Sequence, residues 1–426
     1  MIQYYQIAFW ILLAIAVWHY FKYNDEFLLL PVAFFYFTGI QRYLAVAEGK
    51  AEWVRVAYTR NIFSPMTDEK AMEAMFLFAM GTVILVLSYR VFNRKVQWPR
   101  WQVDNNEIFT AFIKKHKSLI LGLFIFYTIL FTITRPLIGG SIALGQSYFL
   151  LLPMAVGGFV LLAYLVFRSY TWQEDTGVKL LYLGLMIYAI IQSYHPGQRF
   201  QFLSWMVAIG VLVTKDFNTK RKIKYYIAGG MLVLFFFSLA GVMRRMDVSN
   251  LSINEKWELA SARTESREDQ NMLDGFMMVL DVYPEHLNYH YGGEHLEILM
   301  RPIPRAIWPG KPVGGYANKL GLNQLEKGTV GISQTIYGTF YGEGGFWGII
   351  IFSILYGWLF VKLFRMAARY NSDLYWLIKG IILASFIPIL RGGDLPGIVA
   401  FIGMSYWPVF IMIYLYNRHL KKLGLQ

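Results

Sequence analysis

Eleven apolar runs, each near the length a helix needs to cross a bilayer, constrain this chain more than any other feature of its sequence. Covering about 30 Å of hydrocarbon takes roughly twenty apolar residues. Such runs lie at Ile2–Phe21, Phe27–Ala45, Met72–Phe92, Ser118–Thr134, Tyr148–Phe167, Val178–Gln192, Phe200–Val213, Tyr225–Met243, Gly345–Phe364, Leu374–Leu390 and Ile398–Tyr416. The sixth and seventh are short, as tilted, broken or re-entrant segments would be. Only 16% of the residues are charged, against roughly a quarter in a soluble domain, so the outside of the fold faces lipid rather than water. Ile2–Phe21 reads as a span and not a cleavable signal, because it lacks a basic leader and a second span follows at once. The expected fold is an all-α polytopic membrane protein. Helices one to eight occupy residues 1–243, a long loop 244–344, and helices nine to eleven with a tail 345–426.

Orientation follows from the basic segments. Arg94, Lys95, Arg100, Lys114, Lys115 and Lys117 follow the third run, and Lys215, Lys220, Arg221, Lys222 and Lys224 follow the seventh. Arg365 and Arg369 follow the ninth, and Arg418, Lys421 and Lys422 close the chain. With eleven crossings all four segments fall on one side, which the positive-inside rule makes the cytoplasm. The 244–344 loop then faces outward. At about a hundred residues it is too long for a simple connection. Its first part, Ser252 to Leu280, reads as polar or amphipathic helix, with Ser252 and Glu255 spaced for a capping box.

The net charge of +13 sits mostly in these short segments, as topology signals do, and so does not imply a nucleic-acid partner. The chain has no cysteine, which excludes disulfides, thiol chemistry and cysteine metal sites.

The candidate chemistry gathers on the outward side. Arg42, Arg135, Arg199, Arg244, Arg245, Arg301, Arg305 and Arg391 all fall in or beside outward loops. Arginine's planar fork suits bidentate phosphate contacts, so several converging would hold a pyrophosphate. Each one snorkelling to lipid headgroups is the alternative. Arg301-Pro-Ile-Pro-Arg-Ala-Ile-Trp-Pro-Gly-Lys-Pro312 has four prolines in twelve residues. These disfavour helix and would present Arg301, Arg305 and Lys311 from a stiff frame, or lay a basic strap on the membrane. His286 and His290 are spaced to share one face of a helix starting near Pro284. That spacing permits a zinc pair, but no third ligand is evident, and a general base is the better reading. Gly338–Gly348 is dense in small residues suited to close helix packing, with Glu343 at the mouth of a span and placed to pair with an arginine. His195-Pro-Gly-Gln-Arg199 and Arg391-Gly-Gly-Asp394 are tight turns offering ionisable groups.

Together, Gly197–Arg199, Met243–Arg244, the long loop, Pro304–Pro312, Phe340–Gly348 and Arg391–Leu395 resemble the Wzy-type O-antigen and oligosaccharide repeat-unit polymerases. The likeness covers roughly the C-terminal half; the N-terminal half matches only as a string of spans. It implies a metal-independent, cofactor-free glycosyltransferase of the membrane GT-C type in a bacterial inner membrane, with its active site facing the periplasm. Such an enzyme moves a growing glycan from undecaprenyl pyrophosphate to a lipid-linked repeat unit in lipopolysaccharide or exopolysaccharide synthesis. A chain-length regulator and a flippase would be its partners. Arg135, Arg199, Arg244, Arg301, Arg305, Lys311 and Arg391 would then bind substrate, and His195, His286, His290 or Glu343 would supply the base or sugar contacts. An O-antigen ligase shares the layout and donor, and a transporter or flippase is the rival of another class.

Overall fold

The computed structural model describes residues 2–23, 26–54, 62–94, 104–138, 152–194, 199–243, 246–248, 250–265, 271–303, 307–312, 314–322 and 333–424, and every regular element among them is a helix. Helix is what lipid demands, because it satisfies each backbone N–H and C=O within its own segment. Among the described residues ten helices are long and apolar enough to cross a membrane, from Ile2–Tyr23 to Leu395–Lys422, the architecture of a multi-pass membrane protein. They correspond to ten of the eleven apolar runs. The seventh run forms the helix Arg199–Val213, only 15 residues long. At 1.5 Å per residue that is about 22 Å, short of the hydrocarbon thickness of about 30 Å. The strict alternation of sides expected for eleven full crossings therefore rests on this helix.

The chain forms two compact units, one of residues 1–96, 248–362 and 386–399, the other of 97–247, 363–385 and 400–426. In the second, Asp104 ties distant segments, accepting from the backbone N–H of Asn371 at 2.7 Å and Ser372 at 2.9 Å and from the Tyr416 hydroxyl. Two basic residues of the expected cytoplasmic segments are paired there, Lys114 with Glu174 and Lys215 with Asp373, and Arg168 pairs with Asp216.

The first unit is built on aromatic packing. Phe27 stacks on Tyr89 at 4.6 Å and meets the Phe386 edge at 4.5 Å, both within the preferred range for such pairs. The helices Asp68–Arg94 and Thr335–Ala367 approach so closely that a Cβ on Gly357 would lie 3.0 Å from the Tyr89 amide nitrogen.

The 244–344 segment differs from expectation in two places. Ser252 to Leu280, expected as polar or amphipathic helix, includes two described helices of different character. The first part, Ile253–Glu265, does carry the capping box: Glu255 accepts from the Ser252 N–H at 2.7 Å, and Ser252 Oγ accepts from the Glu255 N–H at 3.3 Å. The second part, Met272–Val282, is apolar and buried almost along its length. It carries Asp274, whose carboxylate takes a two-pronged contact from the Arg42 guanidinium at 2.7 and 2.9 Å. Both side chains are buried, at 2% and 0% exposure. Arg42, expected in an outward loop, is thus an internal clamp.

The second difference concerns Thr335–Ala367. It begins well before Gly345 and breaks at Gly344 and Gly345, the latter at φ 61°. That left-handed conformation costs a residue with a Cβ but not glycine, so the glycine-dense motif makes a bend as well as a close contact.

Candidate functional site

The first unit assembles a charged site around the short helix Gly293–Met300. Glu343, at the break in the long helix, holds its start. Its carboxylate accepts from the Gly292 N–H at 2.6 Å, the His295 N–H at 3.2 Å and His295 Nδ1 at 2.5 Å. An anion suits the unpaired N–H groups and positive dipole end of a helix. His295 Nε2 reaches the Tyr356 hydroxyl at 3.1 Å, and its ring stacks on Phe352 at 4.3 Å. Expected to pair with an arginine, Glu343 pairs instead with a histidine and two backbone amides. Both its oxygens serve to anchor the helix.

From that anchor the helix projects Glu294, Glu297 and Arg301 at spacings of three and four, one stripe of a helical surface. Arg301 Nη2 donates to Asp394 Oδ2 at 3.2 Å. This contact joins the proline-rich segment to the Arg391-Gly-Gly-Asp394 turn, so the ion pair Asp394 makes is with Arg301. Glycine permits the turn: Gly392 has φ +69°, and a Cβ there would collide with the Thr335 carbonyl. A Cβ on Gly314 would strike the Asp394 carboxylate. Lys311 is buried, and its ammonium donates to the carbonyls of Arg301 at 3.1 Å and Ile303 at 2.7 Å, fastening the ends of the proline-rich segment. Glu297, Met300, Arg301, Lys311, Pro312 and Pro396 line a narrow, shallow recess.

Beside the recess runs a chain of polar contacts. Glu297 Oε1 lies 3.3 Å from Lys319 Nζ, which lies 3.0 Å from His290 Nε2, and the Tyr283 hydroxyl meets the same nitrogen at 2.9 Å. An ammonium only donates, so Nε2 accepts and the imidazole proton sits on Nδ1. Burial, and then Lys319, hold the His290 pKa below its ordinary value, which keeps this ring neutral near pH 7. Burial pushes the Glu294 carboxyl up to about 8, against the opposing pull of Lys319. Glu297 is also raised, first by burial and further by Asp394 and Glu343, with Lys319 opposing.

His286 and His290 do not share a helix face. The preceding helix ends at Val282, because Pro284 lacks an N–H and disfavours helix in the residue before it. His286 lies exposed in the turn, whereas His290 is half-buried. Among the described residues no group of three or more His, Asp or Glu side chains is placed to hold a metal ion. Arg391 ends the helix Asp373–Arg391 and is half-buried. His195, Arg244 and Arg305 lie outside the described residues, as do the side chains of Arg135 and Arg199.

Sequence reasoning passed over Glu297, Lys319, Tyr283 and the part played by His295. The signal for Glu297 was its place in the Glu294, Glu297, Arg301 stripe. Lys319 sits in a four-residue helical turn, Tyr316–Lys319, which has no periodicity to read.

Fold and site together define a multi-pass helical membrane protein with a cationic recess built from its longest hydrophilic segment. Comparison with family models, with curated proteins and with solved structures gave no match.

Proposed function

We propose that the chain is a repeat-unit polymerase of O-antigen or exopolysaccharide type, acting on undecaprenyl-diphosphate-linked glycans at the outer face of a bacterial inner membrane. The observation that carries this reading is the Arg301–Asp394 contact. It joins Arg301, three residues before the Pro304–Pro312 motif, to Asp394 of the Arg391–Leu395 motif, and Lys311 and Pro312 of the first motif line the same recess. Asp394 takes one of the guanidinium's five N–H donors, so the ion pair orients the group and leaves donors for a ligand.

In this reading the acceptor hydroxyl attacks the anomeric carbon of the donor. The bond from that carbon to the diphosphate oxygen breaks, and the lipid diphosphate departs as an anion. Arg301 meets the developing negative charge, and a cation already in position is worth more there than one that must reorganise. The hydroxyl proton needs a base, a role this reading leaves to a group other than His290, whose Nε2 already accepts from Lys319 and Tyr283. A phosphate would meet Arg301 at the mouth of the recess, with the glycan lying outside it. The guanidinium supplies the positive charge, so the reading calls for no metal.

Deleting the gene and resolving the cell's surface glycan on a gel tests the proposal. A polymerase deletion leaves single-repeat glycan on the surface. A ligase deletion leaves none transferred, and a flippase deletion leaves precursor inside the cell. Either of the last two outcomes, or an unchanged ladder, would overturn it.

A further inference from the structure

The recess that holds Arg301 is also lined by a carboxyl group, a poor neighbour for an anion. Glu297 Oε1 is engaged by Lys319 at 3.3 Å. Its other oxygen, Oε2, is buried without a hydrogen-bond partner among the described residues. A buried ionised oxygen with no donor is costly, and bringing a phosphate against it adds like-charge repulsion. Protonation reverses both effects, because a carboxylic acid carries an O–H that can donate to a phosphate oxygen.

We infer that the recess is a proton-linked anion site, in which Glu297 takes up a proton as a phosphate group binds and donates it as a hydrogen bond to that phosphate. The inference rests on the reading of the recess as a diphosphate site and names the control on its occupancy. Three charged groups face Glu297 from other segments. Lys319 favours its ionised form, while Asp394 and Glu343 disfavour it. Arg301 follows one turn along the same helix, Lys311 lines the recess from the far end of the proline-rich segment, and the buried Glu294 precedes it by one turn. The balance already leans toward the acid, since burial raises the Glu297 pKa. An arriving anion pushes it further the same way. When Glu297 gains its proton, Lys319 loses its anionic partner and keeps the contact to His290 at 3.0 Å. Release of the phosphate would return the proton, so low pH favours the loaded site and high pH the empty one.

The test uses the full-length protein in detergent and inorganic pyrophosphate as the probe. Calorimetry in two buffers of different ionisation enthalpy gives the protons taken up on binding, and titrations between pH 6 and 9 give the affinity. The ligand's own ionisation contributes equally to every variant, so differences between proteins isolate Glu297. The wild type is expected to take up about one proton more than Glu297→Gln across the range where Glu297 is ionised in the free protein. Its affinity falls about tenfold more per pH unit in that range. Glu297→Gln retains binding, since its amide also donates, and Glu297→Asp retains the proton linkage. Size-exclusion profiles and thermal unfolding establish that each variant is folded. If Glu297→Gln does not fold, proton uptake by the wild type and Glu297→Asp still decides the question. Equal proton uptake in wild type and Glu297→Gln, loss of binding in a folded Glu297→Gln, wild-type uptake no greater than the ligand's own ionisation requires, or no pyrophosphate binding at any pH would overturn the inference. The polymerase reading stands or falls separately, on the surface-glycan ladder of the deletion strain.

Discussion

The Glu343 carboxylate meets His295 Nδ1 at 2.5 Å and the Gly292 N–H at 2.6 Å, and so fixes where the helix carrying Glu297 and Arg301 begins. Removing it leaves two backbone N–H groups and an imidazole without their acceptor. Glu343→Ala should therefore destabilise the protein by about 3 kcal/mol, in the range for breaking a buried charged network. Glu343→Gln keeps one acceptor oxygen and should cost less. Thermal unfolding in detergent checks the order, and equal losses would show that the carboxylate does not anchor the helix.

Arg42 and Asp274 make a second, wholly buried clamp, with the Val54 N–H also donating to Asp274 at 2.9 Å. Either single substitution strands the other charge, so Arg42→Met and Asp274→Leu should each cost about 3–5 kcal/mol. The double variant buries no charge and should be more stable than either single one. A double-mutant cycle on unfolding free energies tests this. Additive losses would count against the pair.

Glu294 gives a dependence of stability on pH. Its carboxyl is protonated up to about pH 8 in the folded protein, against an ordinary value of 4.5. Between those values the native state holds a proton that the unfolded chain releases. This contribution is largest below the ordinary value, declines as pH rises through the window and is gone above about 8. Glu294→Gln removes the dependence. Relative to wild type, it should be no more stable at pH 4.5 and clearly more stable at pH 8.5. Parallel melting-temperature profiles for the two proteins would contradict the assignment.

The spans were legible because lipid imposes one rule on every residue that faces it, so length and apolarity suffice. The capping box of Ser252 and Glu255 was legible for a related reason, being a contact over three residues. The pairing of Arg42 with Asp274 spans 232 positions and leaves no local trace. Consequently the arginine was grouped with the outward, phosphate-suited arginines, and Met272–Val282 was read largely as part of a polar or amphipathic helix. Pro284 was read as starting a helix, although here it ends one, because a proline suits a first turn and stops an interior equally well. Arg301 and Lys311 were singled out from the stiffness of their segment. The Arg391–Asp394 turn was legible from its glycines, but that its Asp394 meets Arg301, and that Lys311 meets two carbonyls, only the folded chain displays. Glu343 was read as a base or sugar contact able to pair with an arginine; its carboxylate meets the start of the helix, and the carboxyl that lines the recess is Glu297.

Glycine at 392 is the cheapest test of that turn. Gly392→Ala places a Cβ against the Thr335 carbonyl at a φ of +69°. The left-handed backbone alone costs about 1–2 kcal/mol, and the collision adds to it. The variant should melt lower than wild type and bind pyrophosphate more weakly, because Asp394 no longer orients Arg301. Unchanged binding in a protein that melts lower would separate the turn from the site.

The account as a whole rests on the Arg301 guanidinium holding a diphosphate during glycan extension. The most direct measurement is the surface-glycan ladder of a deletion strain carrying Arg301→Ala, beside strains carrying wild type and Arg301→Lys, with membrane levels of each protein matched. Loss of a preplaced charge that stabilises the transition state slows a reaction by about 10²–10³-fold. The account therefore predicts single-repeat glycan for Arg301→Ala and shortened chains for Arg301→Lys, which keeps the charge but not the fork. A ladder of wild-type length from Arg301→Ala would contradict it.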